Sequence, residues 1–202
     1  PYIFGSDSLR TKLHDIVRKY HAAFSSELRP EPMDVPPMEL QIDETKWKIP
    51  KNRGPYRPQS VDNQMETARQ VQKMLAAKVI EPSSASEYSQ ILLVPKPNGT
   101  KRMVIDLRNL NAATLQKPGW PLPNIPQLIQ RLGNAKSDHF GVFDLTSGYF
   151  QVMLHLLSRV YTAFICCVGL FQWLRMPMGL KGAPSYFQQQ MTSNVLVGLV
   201  YY

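Results

Sequence analysis

The sequence contains few cysteines and no long apolar run. Its two cysteines, Cys166 and Cys167, are adjacent, so they lack the usual spacing of a zinc site and are poorly placed to bridge each other. We expect two buried, reduced thiols in a reducing compartment. No apolar stretch approaches the roughly 18–20 residues that a membrane-spanning helix needs. These absences exclude a disulfide framework and give no indication of a membrane protein.

The sequence also lacks tandem repeats and a basic-then-apolar leader, so secretion is not indicated. It begins with Pro rather than Met, and we therefore expect a piece of a longer protein. A length of 202 residues is enough to bury the core of one domain, or of one domain with an arm.

Negative charge is comparatively scarce. The chain has 23 Lys and Arg residues against 15 Asp and Glu residues, which gives a formal net charge of +8. This balance favours a polyanionic partner such as nucleic acid or an anionic surface. A soluble protein that happens to be basic is the alternative, and composition does not separate the two.

Apolar spacing predicts four helices, over residues 8–24, 61–79, 127–132 and 185–196. Ser60 can cap the second helix, whose apolar stripe is expected to face the core, and Pro184 suits the first turn of the last one. Between Leu28 and Pro58 the chain is rich in Pro and basic residues. We interpret that stretch as an extended arm laid along a neighbouring surface. A solvated linker is the alternative, and contacts to a nucleic-acid backbone rank below it.

Two hairpins are predicted from β-prone apolar runs. The first joins residues 91–94 to residues 103–105 through Asn98-Gly99, a strong turn signal, and the second joins 161–167 to 170–174 at Gly169. The region from Lys96 to Lys117 holds five basic residues and one acid. It is either a solvated charged hairpin or a flexible basic flap that grips phosphates.

Asp144 follows an apolar run, residues 140–143, that predicts a short strand. A Gly-containing turn and two aromatic residues come directly after it. An acid at a strand end often caps the next turn, and on this stretch alone the capping interpretation is favoured over a functional one.

Three motifs in order change that balance. They are Ser89 to Asn111, Phe143 to Gln151 and Met176 to Gln188. Together they resemble the reverse transcriptases of Gypsy-type long-terminal-repeat retrotransposons, over about residues 30–202. The resemblance implies an α+β fold, the fingers and partial palm of a right-hand polymerase, ending before the family's Tyr-x-Asp-Asp hairpin. It assigns residues 1–60 to an N-terminal helix and Pro-rich basic arm, 61–115 and 152–182 to the fingers, and 116–151 and 183–202 to the partial palm.

The resemblance also implies an RNA-directed DNA polymerase that uses two Mg²⁺ ions, with Mn²⁺ as an alternative. Asp144 would be the catalytic acid and a metal ligand, and the Leu145 backbone carbonyl would help to hold one ion. Tyr149 would be the gate beneath the sugar; an aromatic ring packed on the turn is the alternative. The nucleotide would contact Lys96, Arg102, Tyr149, Met178 and Gly179. The template and primer would contact Arg108, Asn111, Lys181, Gly182, Pro184 and Gln188, whereas Asp106 is interpreted as structural.

The sequence departs from the family pattern at Pro97, Phe150 and Met178, where the family usually has Lys, His and often Phe. Each departure changes a substrate contact and none removes a metal ligand. The other metal-binding carboxylates are expected beyond Tyr202, so we expect the chain alone to be inactive.

The implied partners are RNA and DNA template-primer, deoxynucleoside triphosphates and the remaining Pol domains: the rest of the palm, the thumb, ribonuclease H and integrase. The implied location is the cytoplasm, in a retroelement particle, or the nucleus. A non-catalytic basic nucleic-acid-binding relic of a decayed retroelement is the alternative function. A structural domain with accidental charge is a third hypothesis.

Overall fold

A five-stranded mixed sheet organises the chain. The computed structural model describes residue 3 and residues 5–25, 27–115 and 119–199; Lys117 lies outside them. The strand order is β1-β5-β4-β2-β3, with β2 and β4 parallel and the other neighbours antiparallel. The strands are β1 Ile80–Pro82, β2 Ser89–Pro95, β3 Lys101–Ile105, β4 Phe164–Cys166 and β5 Gly169–Trp173.

Seven α-helices accompany the sheet in the described part of the chain, so the predicted α+β class is confirmed. They are α1 Asp7–Lys19, α2 Glu44–Trp47, α3 Val61–Ala76, α4 Arg108–Ala113, α5 Ile125–Asn134, α6 Leu156–Arg159 and α7 Ala183–Gln190. None of the helices in this region is long and apolar enough to cross a membrane.

Both predicted hairpins are present. In the first, Ile91 pairs with Ile105, and Gly99 takes a φ of +79° in the turn, a conformation that favours glycine. In the second, Cys166 pairs with Gly169, so Gly169 is the first residue of β5 and the turn itself is formed by the two residues before it. Its inner face carries Phe164, whose ring lies 5.9 Å from that of Trp173.

The Pro-rich arm is packed onto the domain, as predicted, and the solvated-linker alternative is wrong. Met38 bridges Leu154 in parallel register, and the Leu40 N–H donates to Ser158 Oγ at 2.9 Å. Trp47 is among the most deeply buried side chains of the described residues. Three basic residues of the arm are neutralised locally, in the pairs Lys46–Asp43, Lys48–Glu44 and Arg53–Glu87.

The predicted helix over 61–79 is shorter than expected and only part of its stripe is buried. Ser60 Oγ accepts from the Asn63 N–H and caps it as predicted. The helix ends at Ala76, since Lys78 takes a positive φ of 52° and turns the chain toward β1. Val71 is buried, but Val61 and Met65 are exposed, so the core prediction is wrong for the first two turns.

The predicted strand over 140–143 is absent. Val142 and Phe143 are 94% and 82% exposed, and the segment has no regular structure. A strand needs a neighbour to pair its backbone N–H and C=O groups, and no described residue supplies one here. The short helix predicted next to it is confirmed as α5, whose Asn124 cap accepts from the Gln127 N–H.

The sheet draws β1, β2 and β3 from residues 61–115 and β4 and β5 from residues 152–182. These two segments are the ones assigned above to the fingers. The division into fingers and palm stays a prediction.

Candidate active site

The Asp144 turn presents its carboxylate to solvent. Asp144 is exposed and makes no hydrogen bond or ion pair with the described residues. The following helical turn, Gly148–Gln151, is preceded by Ser147 in a left-handed conformation, so Asp144 does not cap it. Two bonds hold the turn: Thr146 Oγ1 donates to the Ser25 carbonyl at 2.9 Å, and Gln151 Nε2 donates to the Thr146 carbonyl at 2.8 Å. The capping interpretation therefore has no support.

A cavity of about 580 Å³ lies beside Asp144. It is lined by residues 23–25, 27–29 and 31–33, where the chain enters the arm, by Asp144, Leu145 and Thr146, and by Gln151 and Val195. Within the described ranges, no three His, Cys, Asp or Glu side chains cluster closely enough to hold a metal ion. The donors at this turn are one carboxylate and the Leu145 carbonyl, both hard oxygens of the kind Mg²⁺ prefers. These two oxygens could supply part of the ligand set of a two-ion site, and further ligands would be needed to complete it.

Tyr149 is fixed by packing on α7. Its ring meets that of Phe187 edge to face, with centroids 5.3 Å apart and an interplanar angle of 76°. A Cβ at Gly148 would lie 3.1 Å from Phe187 Cζ, so the close approach of turn and helix favours glycine there. The ring thus packs on α7, and the role of Tyr149 as a sugar gate stays a prediction.

The first hairpin carries two cations without a partner in the described region. Lys96 and Arg102 are exposed, and their side chains make no hydrogen bond or ion pair there. Lys101, by contrast, donates from Nζ to Asn63 Oδ1 at 2.6 Å. The Lys96 N–H donates to the Thr100 carbonyl at 2.7 Å and closes the loop between the strands.

Asn111 clamps the turn before α7. Its Nδ2 donates to the Gly179 carbonyl, and its Oδ1 accepts from the Lys181 N–H, both at 2.8 Å. Lys181 Nζ donates to the Thr114 carbonyl at 2.8 Å. Gly179 and Gly182 both take positive φ values, +85° and +80°. The fold thus brings three predicted site residues, Asn111, Gly179 and Lys181, into one hydrogen-bonded unit.

Arg108 forms a fork with Asp106. Its Nε and Nη2 donate to the two carboxylate oxygens at 2.7 Å each. The bonds from Arg108 lower the pKa of Asp106 below its ordinary value, against the opposing effect of burial. The pairing agrees with a structural role for Asp106, and it occupies much of the guanidinium proposed to face the template.

The remaining predicted site residues lie within α7 or just before it. Met178 and Pro184 are exposed. Gln188 is half-buried, and its Nε2 donates to Thr192 Oγ1 at 3.1 Å. Beyond α7 the helix continues as a π-helical turn, Met191–Val195, so the predicted helix over 185–196 is confirmed with a change of winding.

Sequence reasoning missed Arg175, which ties the arm to the Asp144 turn. It is 2% exposed, and its guanidinium donates to the Pro30, Phe150 and Lys78 carbonyls. Desolvation lowers the pKa of the guanidinium from its ordinary value. The signal in the sequence was a lone Arg between the apolar residues Leu174 and Met176.

The sequence profile described as "Reverse transcriptase (RNA-dependent DNA polymerase)" matches residues 94–195, half of the chain. The chain therefore belongs to the reverse transcriptase family. That family is described as one of RNA-dependent DNA polymerases.

Relatives place this domain among retroelement polyproteins. The chain is 37% identical over 190 residues to the retrovirus-related Pol polyprotein from transposon 412 of Drosophila melanogaster, covering 91% of this chain and 15% of that protein. It is 39% identical over 139 residues to the corresponding protein from transposon opus, covering 66% and 14%. The enzymatic polyprotein of Cauliflower mosaic virus (strain CM-1841) is 38% identical over 130 residues, covering 62% and 19%. The chain thus spans less than a fifth of each relative.

Solved structures show the same fold. The prototype foamy virus protease-reverse transcriptase superposes with a TM-score of 0.72 at 17% identity, covering 93% of this chain and 24% of that one. A foamy viral protease-reverse transcriptase in complex with RNA/DNA hybrid gives the same TM-score, identity and coverage. The predicted polymerase fold is confirmed.

Proposed function

We propose that the chain is the reverse transcriptase region of a Gypsy-type retrotransposon Pol polyprotein. Within that polyprotein it takes part in adding deoxynucleotides to a primer 3′-end on an RNA or DNA template. The observation that carries the proposal is the exposed, unpaired Asp144 carboxylate at the head of the Tyr149 turn. It lies inside the segment matched by the family profile.

Asp144 and the Leu145 carbonyl would hold Mg²⁺, with Mn²⁺ as an alternative. Two such ions, when bound, stabilise charge on the attacking and leaving oxygens of a phosphoryl transfer. The unpaired cations Lys96 and Arg102 suit the incoming triphosphate. The Tyr149 ring, braced by Phe187, limits the space available to a ribose 2′-hydroxyl.

The turn before α7 would support the nascent base pair. Met178 and Gly179 would face the nucleotide. The two positive-φ glycines, Gly179 and Gly182, leave backbone uncovered, which permits close approach of a ligand. The proposed template and primer contacts are Arg108, Asn111, Lys181, Gly182, Pro184 and Gln188.

The donor set at Asp144 implies dependence on further domains. One carboxylate does not fix two ions, so the described chain by itself would not polymerise. The rest of the palm, the thumb, ribonuclease H and integrase are the proposed partners, together with template-primer and deoxynucleoside triphosphates. The proposed location is a retroelement particle in the cytoplasm, with the nucleus as the alternative.

The test is Asp144→Asn in the intact polyprotein, assayed by primer extension with Mg²⁺. The substitution keeps the shape of the side chain and removes its charge, so extension should fall roughly 10³-fold or more. Asp138→Asn is the matched control, because Asp138 is an exposed acid six residues upstream. Extension retained by Asp144→Asn would refute the role of Asp144, and equal loss in both variants would indicate damage to the segment instead.

The alternative is a non-catalytic nucleic-acid-binding relic. The net charge of +8 favours it, as does the lack of a three-residue metal cluster in the described part of the chain. A parent polyprotein that binds template-primer but extends no primer with either Mg²⁺ or Mn²⁺ would establish the alternative.

A further inference from the structure

Strand β3 lies at the edge of the sheet, next to β2 alone. Val94 and Arg102 are opposed in the register of that pair. In an antiparallel strand the backbone groups alternate in direction. The Lys101 carbonyl and the Met103 N–H therefore point together to the side away from β2. Such a pair is normally left open at a sheet edge or covered by another element.

The side-chain amide of Gln70, on α3, takes the place of the missing strand. Its Nε2 donates to the Lys101 carbonyl at 2.8 Å, and its Oε1 accepts from the Met103 N–H at 2.8 Å. A Gln side-chain amide has two N–H donors and a carbonyl acceptor. One donor and the acceptor can therefore bond to a strand edge as the N–H and C=O of a backbone residue do. Gln70 thus pairs with β3 as one residue of a neighbouring strand would.

The orientation of that amide is set by Glu66. The second Nε2 hydrogen of Gln70 is donated to Glu66 Oε1 at 2.6 Å. Glu66 is held in turn by Arg69, which donates from Nε at 2.8 Å and from Nη2 at 2.7 Å. A flipped amide would direct its oxygen at two acceptors and its hydrogens at a donor, so this network admits one orientation.

The two bonds from Gln70 enclose a single residue, Arg102. They fix the peptide plane before it and the peptide plane after it, and these planes determine its φ and ψ. The direction of the Arg102 Cα–Cβ bond follows from them. Arg102 has no side-chain partner in the described region that could fix it in another way.

We propose that Gln70 is a positioning residue that aims Arg102 at the incoming triphosphate. The inference rests on the proposed function and names a residue of that same site. We call the two hydrogen bonds from Gln70 to β3 the brace. Without the brace, the Arg102 guanidinium would sample more directions, and binding of the triphosphate would have to restrict them. The brace removes part of that entropic cost before the nucleotide binds.

The test uses single-turnover primer extension by the intact polyprotein, which separates nucleotide affinity from the maximal rate. Gln70→Met keeps the length of the side chain and removes all three amide bonds. The dissociation constant for the nucleotide should rise roughly three- to tenfold with the maximal rate little changed. Gln70→Asn, whose amide is one methylene too short to span both groups, should change it in the same direction.

The matched control is Gln72→Met, the same substitution at an exposed position of the same helix. It should leave the nucleotide dissociation constant unchanged. The decisive arm is a double-mutant cycle with Arg102→Ala. If Gln70 acts through Arg102, the effect of Gln70→Met on the dissociation constant should disappear when Arg102 is already absent.

In a polyprotein that extends primers, three outcomes would overturn the proposal. One is an equal effect of Gln70→Met with and without Arg102. Another is a fall in the maximal rate or melting temperature with nucleotide affinity intact, because that describes a structural support only. The third is an unchanged hydrogen-exchange rate of the Met103 amide in Gln70→Met, which would show that the brace does not form.

A polyprotein that extends no primer would refute the proposed function, and with it the aim of Arg102 at a triphosphate. The Met103 exchange rate would still test the brace by itself.

Discussion

Tyr149 is the predicted substrate contact with the most definite packing. Its ring packs edge to face on Phe187, and this contact holds in place the ring that would limit the space beside the sugar. Tyr149→Val in the intact enzyme should raise ribonucleotide incorporation relative to deoxynucleotide incorporation by roughly 10–100-fold. The ratio is measured by primer extension with each nucleotide type.

Tyr149→Phe is the control for that experiment. It keeps the ring and its contact with Phe187, so discrimination should stay near that of the parent. A valine variant that discriminates as well as the parent would assign Tyr149 to packing alone.

Among single residues, the order of motifs assigned site roles to Asp144, Lys96 and Arg102, and those roles stay predictions. It could not predict Gln70 or Arg175. Gln70 bonds to a carbonyl 31 residues away and Arg175 to one 145 residues away. Both use their side chains on backbone groups, which have no identity in the sequence. Only the fold shows which carbonyls and N–H groups lack a partner.

Among the connections between elements, the Arg175 clamp joins the arm, the Asp144 turn and the residues after α3. Arg175→Met would leave three carbonyls without this donor while keeping an unbranched chain in the buried site. The free energy of unfolding should fall by about 1–3 kcal/mol, measured by urea denaturation. The variant would no longer carry a buried charge, and the removal of that desolvation cost offsets part of the loss in unfolding free energy.

Arg131→Met supplies the comparison, because Arg131 is exposed on α5. Its effect should stay within about 0.5 kcal/mol. An Arg175 variant as stable as the Arg131 variant would show that the three bonds contribute nothing measurable.

Some helices and strands could be predicted from the sequence pattern alone, and others could not. Both hairpins and the helix α3 were predictable because turn residues and caps act locally. The strand over 140–143 was not, since a strand exists only with a neighbour and no described residue pairs with that segment. The prediction that the apolar stripe of α3 is buried was only partly correct for a similar reason. Periodicity defines the apolar face of a helix, whereas tertiary packing decides how much of that face is covered.

Over the whole molecule, the surplus of positive charge has an uneven distribution. Lys46 and Lys48 in the arm pair with acids, whereas Lys96 on the hairpin has no partner among the described residues and Lys101 contacts a neutral amide. Binding of the chain to an RNA–DNA hybrid should weaken steeply with salt, as filter binding would show. The Lys96→Gln, Lys101→Gln double variant should reduce the slope of log K against log salt by about 1–2.

The Lys46→Gln, Lys48→Gln double variant removes the same number of charges from the arm and should change that slope less. Weak binding with a flat salt dependence would contradict nucleic acid as the polyanionic partner. Equal effects of the two variants would contradict the hairpin as its contact surface.

The Arg175–Pro30 hydrogen bond can form only late in synthesis of the chain. The two residues are 145 positions apart, so the arm emerges from the ribosome long before the guanidinium that holds it. At about 5–20 residues per second, the interval between them is roughly 7–30 s. During that time the apolar residues Met38, Leu40 and Trp47, which are buried in the finished domain, remain without the β4–β5 half of the molecule. We therefore expect the nascent arm to expose apolar side chains to solvent or chaperones until translation passes Arg175.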